Sequence, residues 1–124
     1  MDRILVVDDN ELNVLLVKAL LSAESLKVAD AGDAQQALAA AARFKPHLIL
    51  LDLELPGTDG LTLARLLKAD AATRDIRIVV LSAHEARDVE AAVRDAGCDG
   101  FLAKPIDPRT FGATVRRYLS RAAP

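Results

Sequence analysis

Four short apolar runs, rich in valine, isoleucine and leucine, alternate along the chain with stretches of helical spacing, and each run leads into a polar residue. The runs cover residues 4–7, 47–51, 78–81 and 101–103, and the residues that follow them are Asp8 and Asp9, Asp52, Ser82 and Lys104. Uninterrupted apolar runs of this length are typical of parallel strands that are buried on both faces of a sheet. The pattern therefore predicts an α/β fold in which strands and helices alternate.

A weaker run at residues 26–29 is interrupted by Lys27 and is predicted to be a half-exposed strand, second in chain order. With it the chain is predicted to be a (βα)5 unit. This is a doubly wound, flavodoxin-like sheet of five parallel strands in the order 2-1-3-4-5, with right-handed crossovers. The 124 residues fit one domain, 1–124, with no output domain appended.

Helix boundaries are predicted from capping residues and from apolar spacing. Asn10 is expected to cap the first helix. The apolar positions of that helix are Leu12, Leu15, Leu16, Ala19 and Leu20. Asp107 is expected to cap the last helix, with Pro108 at its first position. Residues 53–60, between the third strand and its helix, are expected to form an unusually long loop.

The composition argues against several classes of function. The net charge of -2 disfavours a nucleic-acid surface, since phosphate backbones select strongly basic faces. No apolar stretch approaches the ~20 residues of a membrane span, and the apolar run after Arg3 is too short for a signal peptide. The single cysteine, Cys98, excludes an intramolecular disulfide and fits a reducing compartment. We therefore expect a cytoplasmic protein with neither nucleic-acid nor membrane partners.

The polar residues that follow the strands are expected to meet, because ligand sites of open α/β sheets lie at the carboxyl ends of the strands. Adjacent strands lie about 4.8 Å apart, so Ser82 would need only a short side chain to reach the end of the neighbouring third strand. Lys104 would be two strand spacings from Asp52, roughly 10 Å. Only a long, flexible side chain that carries an ammonium group spans that distance.

Asp8, Asp9 and Asp52 would repel one another unless a cation joined them. An incomplete set of carboxylate ligands suits Mg²⁺, which keeps several waters and shares its shell with a substrate phosphate. Asp52 would then be the nucleophile that forms an aspartyl phosphate. Mg²⁺, Lys104 and Ser82 would neutralise and position the phosphoryl oxygens.

In these motifs the chain resembles the receiver domain of two-component response regulators. The matching segments are residues 6–10, residues 51–52 with 55–60, residues 82–83 and residues 104–105. The resemblance implies that Asp52 is the phosphoacceptor, that Lys104 pairs with the phosphate and that Ser82 is the switch hydroxyl. It also implies that Asp9 and Asp52 bind Mg²⁺ directly, that Asp8 does so through water, and that the backbone carbonyl of Glu54 completes the ligands.

Four further residues take expectations from the resemblance. Phe101 matches the aromatic whose inward turn accompanies activation, and the bond between Lys104 and Pro105 is expected to be cis. The chain carries Glu54 two residues beyond the phosphoacceptor and His84 two residues beyond the switch hydroxyl. In this family both positions modulate how fast phosphate is lost.

The resemblance implies a signalling domain that catalyses only its own phosphorylation and dephosphorylation. Its phosphodonor would be a phosphohistidine on a sensor histidine kinase or a histidine phosphotransfer protein. Its output would be a downstream protein that binds the last two helices and the strand between them. The domain would be a monomer or a phosphorylation-dependent dimer.

Other interpretations stay open at this point. The chain could be a receiver excised from a hybrid kinase or a larger regulator. A haloacid-dehalogenase-like phosphatase would need an Asp-x-Asp pair after the first strand, and the chain has Asp8-Asp9 there. A flavodoxin-like flavin carrier would need a Ser/Thr-rich phosphate loop and more aromatic residues than the three Phe and one Tyr present.

Overall fold

The computed structural model describes residues 2–55, 57–83 and 86–120. Its main sheet has five strands, numbered here β1 to β5: Arg3–Val7, Lys27–Ala31, Leu48–Asp52, Arg77–Ser82 and Gly100–Ala103. Its helices, α1 to α5, are Glu11–Ser22, Ala34–Phe44, Gly60–Ala69, Ala86–Asp95 and Phe111–Ser120. All pairings in this sheet are parallel, and the strand order is β2-β1-β3-β4-β5. The predicted α/β fold and strand order are confirmed.

The central strands separate two apolar layers. Alternate residues of a strand face opposite sides of a sheet. Thus Leu5 and Val7 of β1 pack with residues of α2 and α3, whereas Ile4 and Val6 pack with residues of α1 and α5. Because helices cover both faces, every residue of β3 is buried, which explains the uninterrupted apolar run seen in the sequence. Within the described part of the chain, no helix is long and apolar enough to cross a membrane.

Of the five apolar positions named for α1, Leu20 packs against the core, but the three earlier leucines lie outside the buried face. Leu12, Leu15 and Leu16 are 77%, 64% and 37% exposed. The buried residues of the helix are Val14, Val17 and Leu21. Since α1 carries apolar residues around most of its circumference, helical spacing alone fits more than one face. Packing against the sheet selects the face that contains Val14, Val17 and Leu21, and Leu12, Leu15 and Leu16 are left at the surface.

Two element boundaries and one loop differ from the predictions. Strand β2 extends to Ala31, which is buried and pairs with Val7. Helix α5 begins at Phe111, after a turn in which the Asp107 carbonyl accepts hydrogen bonds from the N–H groups of Thr110 and Phe111. The predicted long loop contains a short antiparallel ribbon in which Glu54–Leu55 pairs with Thr58–Asp59.

Cys98 lies beside the apolar layer that contains α2 and α3, and its side chain is half-buried. Burial raises the pKa of the Cys98 thiol to about 11, and the charge of Asp99 acts in the same direction. The thiol is therefore protonated at neutral pH and behaves as a small apolar side chain.

Lys68 joins the end of α3 to the beginnings of β4 and β5. Its Nζ donates hydrogen bonds to the carbonyl oxygens of Ile76 at 2.7 Å and Arg74 at 3.2 Å, and lies 3.3 Å from Asp99 Oδ2. We expect Lys68→Met to lower the free energy of unfolding by about 1–2 kcal/mol, because these acceptors lose a charged donor. Urea unfolding measures this change.

The same substitution at Lys18 is the matched control. Lys18 forms an ion pair with Asp30, and both side chains are exposed, 39% and 44%. Exposed pairs contribute little, so Lys18→Met should change stability by about 0.5 kcal/mol or less. Equal losses in the two variants would contradict the bridging role of Lys68.

Candidate phosphoryl-transfer site

Three carboxylates meet at the carboxyl end of the sheet. Asp8 and Asp9 follow β1, and Asp52 is the last residue of β3, the strand beside β1. One carboxylate oxygen from each of the three lies within 4.8 Å of the others. Asp8 and Asp52 are only 4% and 3% exposed, whereas Asp9 is exposed. The site therefore combines two buried carboxylates with one that faces solvent.

Main-chain hydrogen bonds orient the two buried carboxylates. Asp8 Oδ1 accepts a hydrogen bond from the N–H of Asn10 at 2.9 Å. Asp52 Oδ1 accepts one from the N–H of Glu54 at 3.0 Å. In each case the donor lies two residues further along the chain, which is the local turn that aspartate side chains favour. Each side chain is thus fixed by the backbone that follows its own strand.

Lys104 reaches Asp52 from two strands away. It follows β5, yet its Nζ lies 3.0 Å from Asp52 Oδ2. Its main-chain N–H donates to the carbonyl of Ser82 at 2.9 Å. The length of the lysine stem thus closes the gap estimated from strand spacing. The peptide bond between Lys104 and Pro105 is cis, the isomer expected from the family resemblance.

The cluster holds more negative charge than Lys104 neutralises. Burial raises the pKa of Asp8 above its ordinary value, and the charge of Asp52 raises it further. The N–H of Asn10 and the charge of Lys104 lower the pKa of Asp8 but do not reverse the shift. Oxygen ligands with excess negative charge favour a hard divalent cation.

Ser82 and Phe101 lie on the strands beside Asp52. Ser82 ends β4 and is fully buried, and its neighbour Leu81 pairs with Asp52. Phe101 on β5 pairs with Val80 and is half-buried. It lines a cavity between α4, β5 and α5. The cavity is lined by Glu90, Val93, Arg94, Cys98, Asp99, Gly100, Phe101 and Tyr118.

Of the two residues expected to modulate the loss of phosphate, the structure describes Glu54 but not His84. Glu54 is exposed and begins the short ribbon that follows Asp52. His84 lies outside the described residues.

Gly60 is a site residue that the sequence did not reveal. It is the first residue of α3, and a Cβ atom there would lie 2.7 Å from the carbonyl oxygen of Asp52 and 2.8 Å from Leu53 Cα. Its N–H donates to the carbonyl of Leu53 at 3.1 Å. The sequence pattern places Gly60 only at the end of the expected long loop, residues 53–60. Nothing in the local pattern signals that its helix packs directly on the backbone of Asp52.

Residues 4–116 match the family profile described as the response regulator receiver domain. The chain belongs to the response regulator receiver family. This receiver is 47% identical over 114 residues to the response regulator PleD of Caulobacter vibrioides, covering 92% of this chain and 25% of PleD. It is 33% identical over 119 residues to the polar-differentiation response regulator DivK of Brucella anthropi, covering 96% of this chain and 97% of DivK.

A solved receiver has the same fold and holds a metal in its cleft. The receiver domain of a sensor histidine kinase from Pseudomonas aeruginosa PAO1 is 30% identical, with a TM-score of 0.82 over 98% of this chain and 96% of that one. That structure has a magnesium ion coordinated in its active site cleft. Family membership makes this chain a domain of two-component signalling, which favours the receiver prediction over the phosphatase and flavin-carrier alternatives.

Proposed function

We propose that this receiver accepts a phosphoryl group on Asp52 and that the phosphorylated form is recognised by another protein. The observation that carries the proposal is the pairing of Lys104 with Asp52 inside a cluster of three carboxylates. Lys104 places a positive charge beside the nucleophile Asp52, and Asp8 and Asp9 can bind a cation beside it. Phosphoryl transfer requires such positioning and neutralisation of charge.

The residues present fit Mg²⁺, the expected cofactor. The three side-chain donors are all carboxylate oxygens, and the buried charge at Asp8 and Asp52 lacks a full counter-charge. Asp9 and Asp52 would bind the ion directly, Asp8 would act through water, and the Glu54 carbonyl would complete the protein ligands. When bound, Mg²⁺ supplies positive charge to the phosphoryl oxygens.

The transfer step uses Asp52 as the nucleophile. A carboxylate oxygen of Asp52 bonds to phosphorus as the N–P bond of a phosphohistidine breaks. The imidazole nitrogen keeps the electron pair of that bond and takes up a proton. Lys104 then pairs with the phosphoryl oxygens, and Ser82, whose buried hydroxyl is one strand away, donates a hydrogen bond to them. Beyond its own phosphorylation and dephosphorylation, the domain catalyses no reaction in this proposal.

Phosphorylation would be read at the face formed by α4, β5 and α5. The new phosphate carries about two negative charges, which attract the Ser82 hydroxyl and bias a two-state equilibrium. Ser82 pairs with Ala103 on β5, two residues from Phe101. A movement of Ser82 would therefore displace β5, and with it Phe101 and the cavity that Phe101 lines. A downstream protein that binds this face would distinguish the two states.

The phosphodonor would dock on the exposed leucines of α1. Leu12, Leu15 and Leu16 start one turn after Asp9, and Leu16 lines a surface hollow together with Pro105 and Ile106. Leu15 lines a pocket together with Asp8 and Asp9, and Lys104 lines the pocket of Leu16, so these apolar side chains lie beside the site. They suit a partner that brings a phosphohistidine to Asp52, namely a sensor histidine kinase or a histidine phosphotransfer protein.

Two organisations of the protein agree with its relatives. The chain covers 97% of DivK, which agrees with a receiver of the length of DivK, whereas it spans 25% of the length of PleD. The second relationship supports the alternative of a receiver taken from a larger regulator. The free thiol of Cys98 supports a reducing, cytoplasmic location in either case.

The assignment of Asp52 is tested by incubating the protein with Mg²⁺ and a small-molecule phosphodonor and measuring the intact mass. Wild type should gain the mass of one phosphoryl group, and Asp52→Asn should gain none. Asp33→Asn is the matched control, because asparagine also caps a helix and Asp33 is outside the cluster. Asp33→Asn should be phosphorylated like wild type. Equal phosphorylation of Asp52→Asn, or none in wild type, would overturn the assignment.

The same measurement followed over time tests the proposed rate modulators. Glu54 and His84 would order or repel the water that attacks the phosphoryl group. Glu54→Gln and His84→Ala should therefore change the rate at which the added mass is lost. An unchanged rate in both variants would remove these two residues from the proposal.

A further inference from the structure

Asn10 contacts both helix α1 and the acidic cluster. Its side-chain Oδ1 accepts hydrogen bonds from the N–H groups of Leu12 at 3.0 Å and Asn13 at 3.1 Å. Its own N–H donates to Asp8 Oδ1 at 2.9 Å. The residue that caps α1 is therefore also the residue that orients a buried carboxylate of the site.

The two contacts depend on one backbone conformation. Asn10 is extended, with φ -89° and ψ 111°, as a capping residue must be for its side chain to reach the first turn. In the same conformation its N–H points back to Asp8. Loss of the side-chain cap would allow the first turn to fray and would free the Asn10 peptide to rotate. The hydrogen bond to Asp8 would then be made for only part of the time.

We infer that Asn10 is a positioning residue for the cation site, because its cap on α1 fixes the peptide N–H that orients Asp8. This inference rests on the proposed binding of Mg²⁺ at Asp8, Asp9 and Asp52. Partners that orient metal ligands commonly affect metal affinity by tenfold or more when removed. The competing interpretation is that Asn10 contributes only to the stability of α1.

The experiment measures the Kd for Mg²⁺ alone by isothermal titration calorimetry in the absence of a phosphodonor. Asn10→Ala should raise the Kd about tenfold. Asn10→Ser keeps an acceptor at the cap and should stay within about twofold of wild type. Asn10→Gly also lacks the side-chain acceptor and should raise the Kd about tenfold. It replaces the alanine variant in the experiment if that variant does not fold, because glycine is tolerated at helix caps.

A second capped helix provides the matched control. Asp33 caps α2, and its Oδ1 accepts a hydrogen bond from the N–H of Gln36 at 2.8 Å. Asp33→Ala removes that cap, whereas Asp33→Asn keeps the capping oxygen. Both variants lose the same negative charge. These two variants should therefore bind Mg²⁺ equally. Amide hydrogen exchange at residue 10 should accelerate in Asn10→Ala and stay slow in Asn10→Ser and in both Asp33 variants.

The outcomes separate this inference from the proposed function. If wild type does not bind Mg²⁺, the proposed cation site is wrong. If wild type binds Mg²⁺ and the alanine and glycine variants bind it equally well, Asn10 is only a helix cap and the proposed function stands. A raised Kd with rescue by serine supports the positioning role.

Discussion

Replacing Gly60 with alanine is expected to destabilise the domain by about 3 kcal/mol, because the new methyl group has no space. The atoms it would meet are backbone atoms, the carbonyl oxygen of Asp52 at 2.7 Å and Leu53 Cα at 2.8 Å. Backbone held in a sheet and a helix cannot give way as a flexible side chain can. The sign is diagnostic, since alanine at a helix position ordinarily stabilises by about 0.5–1 kcal/mol relative to glycine.

Gly32→Ala is the matched control for this prediction. A Cβ atom at Gly32 would meet only the side chain of Gln36, at an ordinary distance of 3.7 Å. Its effect on stability should therefore be within about 0.5 kcal/mol. Both variants are compared by urea unfolding with intact-mass phosphorylation as a second readout. If Gly60→Ala were as stable as wild type, α3 would not pack on the backbone of Asp52 as described.

The architecture was predictable because strand burial and strand order are both recorded in simple patterns. Uninterrupted apolar runs identify strands that are covered on both faces, and polar residues at their ends identify the edge where ligands bind. The reach from Lys104 to Asp52 also followed from strand spacing and side-chain length. These inferences depend on backbone geometry, which varies little from one parallel sheet to another.

The errors arose where tertiary packing decides among patterns that look alike in sequence. Helix α1 carries valines and leucines at helical spacing on several sides. Its packing against the sheet decides which side is buried, and Leu12 and Leu15 lie on an exposed side. Gly60 was missed for a related reason. The close approach of α3 to Asp52 is a contact between backbones, and no side-chain pattern records it. The short ribbon after Asp52 was not predicted because its strands have only two residues each, too few to show an alternating pattern.

The charge of the site leads to a second large effect. Replacing Asp8 with asparagine should stabilise the metal-free domain at neutral pH by about 1–2 kcal/mol, because a buried carboxylate without a full counter-charge is removed. Asparagine keeps an oxygen that can accept the hydrogen bond from the N–H of Asn10. The same substitution should weaken Mg²⁺ binding, so excess Mg²⁺ should stabilise wild type and have much less effect on the variant. The difference in unfolding free energy between the variant and wild type should therefore become smaller, or change sign, when the metal is added.

The dependence on pH follows from the raised pKa of Asp8. A carboxyl group whose pKa is higher in the folded than in the unfolded protein binds more protons when folded. Its ionisation therefore costs stability as the pH rises from its ordinary value of 3.8 through the raised folded value. Without metal, the stability gain of Asp8→Asn should be largest at neutral pH and should disappear as the pH falls towards 3.8.

Urea unfolding at several pH values, with a chelator or with excess Mg²⁺, measures both effects. Asp9→Asn is the control, because Asp9 is exposed and its removal should change metal-free stability little while still weakening Mg²⁺ binding. A metal-free Asp8→Asn that is less stable than wild type at neutral pH would show that Lys104 and the N–H of Asn10 already compensate the buried charge. In that case the excess negative charge from which we argue for a cation would be absent, and the site would have to bind Mg²⁺ for geometric reasons alone.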